Sequence, residues 1–234
     1  LKILAPKFKV MSVQIGLTII FLIGFALLLT FTEMIYRRLQ LTGEITRKFA
    51  HFTATLSTIT FPYLFDDHWY VLALAIIFFI LLFISRHRTY LKSIHDIKRI
   101  SVGSYLLPVS IYLTFLVSIK LNDKFLFILP IMVLAICDPI AGILGINLEQ
   151  YNNKIRIFNY QLQKTWLGSL SFFVSCLTIS TIALYFNQMK LNLEIFGIAL
   201  VISLVSTIAE LISWKGIDNL LIPMSVLLVI LLML

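Results

Sequence analysis

Apolar runs about as long as a bilayer is thick recur along this chain, and nothing limits its fold more. A membrane span needs roughly 20 apolar residues, within about 17–25. Segments of that kind fall at Val13–Tyr36, Phe49–Phe65, Trp69–Ser85, Val102–Ile119, Phe125–Ile146, Gly168–Phe186 and Ile195–Ile212, with a shorter one at Leu220–Leu234. Apolar residues make up 60% of the chain and charged residues 13%, whereas a soluble domain carries about 45–50% and about 25%. A soluble fold of 234 residues has no interior large enough for that surface, so lipid must be the solvent. The expectation is an all-α polytopic bundle of 7–8 transmembrane helices. Backbone N–H and C=O groups in lipid must be satisfied within the segment, and the helix does this locally.

No linker or internal repeat divides the chain. Residues 11–234 read as one integral membrane domain. Residues 1–10 read as an upstream segment, because Met11 makes a plausible start. Cys137 and Cys176 lie inside apolar runs and read as small buried hydrophobes rather than a disulfide or metal pair.

The formal charge of +8 would suggest nucleic acid on a soluble protein. Here the cations lie between apolar runs, so topology and lipid headgroups account for them and no nucleic-acid partner is expected. Alternate loops, carrying Arg37, Arg38, Arg47, Lys48, Arg86, Arg88, Lys92, Lys98, Arg99, Lys154, Arg156, Lys164 and Lys215, hold 13 of the 19 Lys and Arg residues. The rule that basic loops stay inside makes that side cytoplasmic, with the N-terminus and the Asp66-Asp67 turn outside.

Four polar constellations interrupt the pattern. In Gly43-Glu44-Ile45-Thr46-Arg47-Lys48-Phe49-Ala50-His51, helical spacing places Glu44, Arg47 and His51 on one face. Two cations and a histidine beside a membrane could hold a phosphate; an interfacial Glu44–Lys48 pair is the plainer account. Asp138, in Cys137-Asp138-Pro139-Ile140-Ala141-Gly142, is a carboxylate in an apolar run and a functional candidate by default. Pro139 and the glycines suggest a broken helix lining a cavity, with Asp138 as either a magnesium ligand or a cap of the second half-helix. Lys164-Thr165-Trp166-Leu167-Gly168-Ser169 sets a lysine and hydroxyls at a helix start, which suits phosphate. It is not a Walker A loop, since the preceding glycine pattern is absent. Glu210, followed by Asp218-Asn219-Leu220 and Pro223, closes the series. Under the topology above all four share the cytoplasmic face, as a phosphoryl or nucleotidyl transfer site requires.

At these positions the chain resembles the CTP-dependent lipid-alcohol kinases: dolichol kinase, phytol and farnesol kinases, and the CTP-dependent diacylglycerol kinases. The resemblance extends from about Glu44 to Pro223. It rests on Glu44, Arg47, Lys48 and His51; on Asp138, Ala141 and Gly145; on Lys164, Thr165, Gly168 and Ser169; and on Glu210, Asp218, Asn219, Leu220 and Pro223. The chain departs from the pattern at Cys137, Ile146, Glu149 and Leu167. Phosphatidate cytidylyltransferases are a neighbouring family, which Lys164-Thr165-Trp166 resembles.

The resemblance implies a membrane kinase moving the γ-phosphate of CTP, or another nucleoside triphosphate, to the hydroxyl of a long-chain lipid alcohol such as phytol, farnesol, geranylgeraniol or dolichol. Lys164, Thr165, Gly168 and Ser169 would hold phosphates, with charge from Arg47 and Lys48. Asp138 and Asp218 would bind Mg²⁺ or Mn²⁺, and Asp138, Asp218 or His51 would be the base. Glu44, Glu210 and Asn219 would support them. The alternatives are a CTP:phosphatidate cytidylyltransferase, a diacylglycerol kinase and, outside enzymes, a small transporter.

Overall fold

In a computed structural model the chain forms a helical bundle. The structure describes residues 4–87, 90–96, 101–147, 154–157 and 160–234; Arg88, Lys98 and Arg99 of the basic loops lie outside them. The helices are α1 (Leu4–Leu39), α2 (Gly43–Thr58), α3 (Phe61–Leu64), α4 (His68–His87), α5 (Lys92–His95), α6 (Gly103–Leu121), α7 (Phe125–Asn147), α8 (Trp166–Gln188), α9 (Leu193–Ile212) and α10 (Asp218–Met233). Among the described residues, α1, α4, α6, α7, α8 and α9 contain stretches long and apolar enough to cross a membrane, and α10 is a shorter apolar helix. The all-α bundle expected from the apolar runs is therefore present.

The second expected span, Phe49–Phe65, is divided between α2 and α3. Pro62 has no N–H to donate to Thr58, four residues earlier, so one bond of the helical ladder is missing there. Just before it, Ile59 and Thr60 donate three residues back, to Leu56 and Ser57. Both keep right-handed helical dihedrals, so α2 and α3 form one nearly continuous rod.

Among the described residues, one two-stranded ribbon is not helical. The polar stretch between α7 and α8 includes an antiparallel ribbon of β1 (Lys154–Ile157) and β2 (Tyr160–Thr165), pairing Arg156 with Gln161 and Ile157 with Tyr160. β2 runs directly into α8, and the Thr165 Oγ1 caps that helix by accepting from the Gly168 N–H at 3.3 Å. The expected break at Pro139 does not occur: α7 is continuous through both Pro130 and Pro139. Membrane helices tolerate internal prolines when neighbouring elements satisfy the freed carbonyls.

Two buried clusters organise the interior. One joins α7 to α8, α9 and α10 through residues such as Leu129, Val133, Cys137, Cys176, Ile202 and Val226. Both cysteines are free and buried there, as the sequence suggested. The other is rich in phenylalanine and joins α3, α4, α6 and α7 through Phe61, Phe65, Phe78, Phe115 and Phe127. Outward faces are apolar too: Ile19, Ile20, Ile23 and Leu27 of α1 are all at least 49% exposed, as a lipid-facing helix requires.

The turn between α9 and α10 is fixed by close backbone approach. Gly216 has φ +89°, and a Cβ there would collide with the Gly103 backbone at the start of α6. The Val102 N–H donates to the Lys215 carbonyl at 2.7 Å, and Asn219 Nδ2 donates to the Gly103 carbonyl at 2.7 Å. Together these bring the starts of α6 and α10 to the same end of the bundle.

Candidate active site

That end of the bundle gathers the residues singled out in the sequence. Lys48, one turn into α2, reaches into α7. Its Nζ lies 2.5 Å from Asp138 Oδ2 and donates to the Asp138 carbonyl at 3.2 Å. Both side chains are buried, at 8% and 7% exposure. Gly142, one turn after Asp138, makes the approach possible: a Cβ there would fall 2.7 Å from Lys48 Cε and 3.0 Å from Nζ.

Lys164, at the end of β2, forms the second node. Its Nζ pairs with Glu210 Oε1 of α9 at 2.6 Å and with Asp218 Oδ2 of α10 at 3.2 Å. Ser169, in the first turn of α8, donates to the other oxygen of Glu210 at 3.3 Å. Burial alone depresses the Lys164 ammonium, but the Asp218 and Glu210 carboxylates, with Asp138 beyond them, outweigh it and hold its pKa above the ordinary lysine value. Lys164 is therefore a permanent charge across the physiological range. Asp218 also accepts from the Asn219 N–H at 3.1 Å, fixing its carboxylate at the helix start. Asp138 and Asp218 interact electrostatically with each other and with Lys48 and Lys164, so the two nodes make one cluster.

Arg47 points the other way from Lys48 and pairs with Glu44 at 2.7 Å. The interfacial Glu44–Lys48 pair considered from the sequence is thus not formed: Glu44 takes Arg47, and Lys48 turns inward to Asp138. Arg47 Nε and His51 Nε2 are buried without a hydrogen-bond partner. Both line a cavity of about 110 Å³ bounded by α1, α2, α4 and α6, with Asn219 and Ser104 at the same end. Its remaining walls are almost wholly apolar.

Every sequence-nominated residue therefore lies in or beside one cluster, with different duties. Asp138, Asp218, Lys48, Lys164, Glu210 and Ser169 form the polar network, and Arg47 and His51 face the cavity. Thr165 caps α8, and Gly168 allows close packing, since its Cβ would sit 2.9 Å from Thr165 Oγ1 and 3.2 Å from the Ala141 carbonyl. Asn219 ties α10 to α6 while also reaching the cavity. The roles of Gly142 and the cavity itself were not read from the sequence. A glycine four residues after a buried carboxylate was the visible signal for the first. The small residues Ala50, Ala54 and Thr58, at helical spacing on the face of His51, were the signal for the second.

Chemically, the cluster offers fixed cations for phosphate oxygens, paired carboxylates for a divalent cation or a proton, and an adjoining apolar chamber. Three cations (Arg47, Lys48 and Lys164) meet four carboxylates (Glu44, Asp138, Glu210 and Asp218). Among the described residues no group of three or more His, Cys, Asp and Glu side chains forms a ready-made metal site. Magnesium does not require one, because it takes one or two carboxylates and completes its shell with substrate phosphates and water. The hard oxygen donors of Asp138 and Asp218, and the surplus of carboxylate over cation, fit such an ion. Compared with protein-family models, with curated proteins and with solved structures, the chain matches none.

Proposed function

We propose that this chain is an integral membrane kinase that transfers the γ-phosphate of a nucleoside triphosphate, CTP by the sequence resemblance, to the hydroxyl of a long-chain lipid alcohol. The observation that carries the reading is the junction of two environments. A buried network of Lys48, Asp138, Lys164, Glu210 and Asp218 adjoins an apolar chamber whose near end is lined by Arg47 and His51, two residues with a ring or guanidinium nitrogen buried without a hydrogen-bond partner. A water-soluble phosphate donor and a membrane-soluble acceptor need such a meeting point.

In this reading Lys164 and Lys48 act on phosphate oxygens, where charge develops as the phosphoryl group moves. Asp138 and Asp218 hold Mg²⁺, which would neutralise phosphate charge when bound. His51 is positioned to accept a hydrogen bond or a proton from the acceptor hydroxyl. The residues face the cytoplasm on the strength of the basic loops. An Asp67→Cys variant should react with an impermeant thiol reagent outside intact cells; modification only after the cells are opened would reverse the orientation.

Two features favour a kinase over a cytidylyltransferase. Trp166, the residue that most resembles the cytidylyltransferases, is 64% exposed and not part of the polar network, as for an interfacial anchor. The chamber beside the cluster is also almost wholly apolar, which suits a neutral alcohol better than an anionic acceptor such as phosphatidate. The deciding experiment supplies purified protein with γ-labelled CTP and a panel of lipid alcohols. Labelled lipid phosphate and CDP are expected. Pyrophosphate release with phosphatidate as acceptor would replace the kinase with the cytidylyltransferase, and no turnover of any lipid would favour a transporter.

A further inference from the structure

The chamber beside the polar network has a definite shape. On α2 its lining residues are Arg47, Ala50, His51, Ala54 and Thr58, followed by Phe61 of α3. That spacing traces one face of the nearly continuous rod. Polar groups occupy the first turn, and alanine and threonine the next two. Where a core-facing helix would ordinarily carry leucine, these small residues leave the space unfilled, and Ala75 does the same on α4. The far end is closed by rings. Phe61 is 2% exposed and sits edge-on to Phe21 at 4.9 Å and to Phe65 at 5.1 Å, with Phe115 and Phe127 behind it at 6.3 and 6.4 Å. Phe78 makes another part of the wall and is itself held edge-on by Phe25 at 5.2 Å.

From His51 to Phe61 the rod advances about 15 Å at helical rise, roughly half of the ~30 Å hydrocarbon thickness. The small residues open the rod along a single face over that depth, which suits one hydrocarbon chain and not two abreast. Its near end is the only part with unsatisfied polar atoms among the described lining residues, Arg47 Nε and His51 Nε2. An occupant with one hydrogen-bonding head and one apolar tail matches that polarity.

We infer that this chamber is a single-chain slot for the acceptor alcohol, with its hydroxyl between Arg47 and His51 and its tail running toward Phe61, which measures chain length as the floor. The slot rests on the kinase reading for the identity of its occupant. Phe61 acts on specificity by excluding longer chains, because a tail that overruns the ring must bend or leave the hydroxyl out of place.

The test uses the full-length protein in nanodiscs with single-chain alcohols that bear a diazirine at the tail end. Irradiation should label Phe61, Phe78 and their neighbours, in competition with unlabelled alcohol. Labelling confined to the outward faces of α8 and α9 would overturn the slot. Ala54→Leu, which fills the channel midway, should lower labelling at Phe61 at least 10-fold; unchanged labelling would overturn it as well. Phosphorylation of the same probes is followed in parallel. Phosphorylation without slot labelling removes the slot and leaves the kinase, while slot labelling without phosphorylation does the reverse. For chain length, Phe61→Leu should shift the ratio of kcat/KM between long and short alcohols at least 10-fold toward the longer, and Phe61→Trp toward the shorter. An unmoved ratio in folded variants would overturn the measuring role, and where neither variant folds, the wild-type position of labelling as probe length is varied decides it: label that does not stop at Phe61 overturns the floor.

Discussion

The two halves of the bundle are built from different materials. In the cluster that joins α7 to α8, α9 and α10, two of nineteen buried members are phenylalanine; in the cluster around α3, α4 and α6, five of nine are. Aliphatic side chains, cysteines and glycines interlock closely, as at Gly168 against Ala141 and at Gly145 against Thr165. Rigid rings cannot fill every gap between helices, and the aromatic half encloses the cavity. The comparison points to a division of labour: a close-packed aliphatic platform holds Asp138, Lys164, Glu210 and Asp218 in place, and a more open aromatic half encloses the cavity proposed above for the acceptor.

The largest expected effect tests the platform. Asp138→Asn should abolish phosphoryl transfer. It also strands the buried Lys48 ammonium, at a cost of about 3–5 kcal/mol for breaking a buried pair. Adding Lys48→Met should restore most of that stability without restoring turnover, as read by thermal unfolding in detergent beside the labelled-CTP assay. Recovery of activity in the double variant would show that the pair is purely structural.

Next in size, Lys164→Ala should lower turnover about 10²-fold, by removing a charge aimed at the transferring phosphates. A loss confined to KM at constant kcat would instead limit Lys164 to ground-state binding.

A smaller effect sharpens the contrast between halves directly. Phe172, fully buried in the aliphatic cluster, should cost about 3–5 kcal/mol when changed to alanine. Phe78→Ala should cost less, because that ring already borders empty space. Equal losses would mean that the two halves pack alike. Smallest of all, Thr165→Ala removes a helix cap and should cost about 0.5–2 kcal/mol, with turnover falling far less than in Lys164→Ala. A comparable fall would move Thr165 from a capping role to a phosphate-binding one.

Much of this was legible in the chain before folding. Period-free apolar runs announce membrane helices, because lipid removes the need for a polar face, and the described helices follow those runs closely. Asp138 stood out because an ionisable group in an apolar run is expensive, and Lys164 because a lysine with hydroxyls at a helix start suits phosphate. Their pairing was not legible. Lys48 was a candidate partner for Glu44 by helical spacing, but a fully buried carboxylate on another helix competes for it more strongly than a half-buried neighbour on its own. The break expected at Pro139 did not form, whereas Pro62 interrupts its helix. Proline removes one hydrogen bond in either place, and tertiary surroundings decide whether the helix continues. The ribbon before α8 was missed because alternation in a short polar segment is a weak signal beside long apolar runs.

The first helix is the least firmly held wall of the chamber. Only 6% of the most apolar window of α1 is buried against the rest of the protein, compared with 67% for α7, yet α1 supplies Phe25, Leu28 and Leu29 to the lining. Displacing a weakly packed element takes less free energy than parting a dense one. For the proposed acceptor, the lowest barrier would therefore lie sideways, past α1 and within the plane of the bilayer, without its tail ever passing through water.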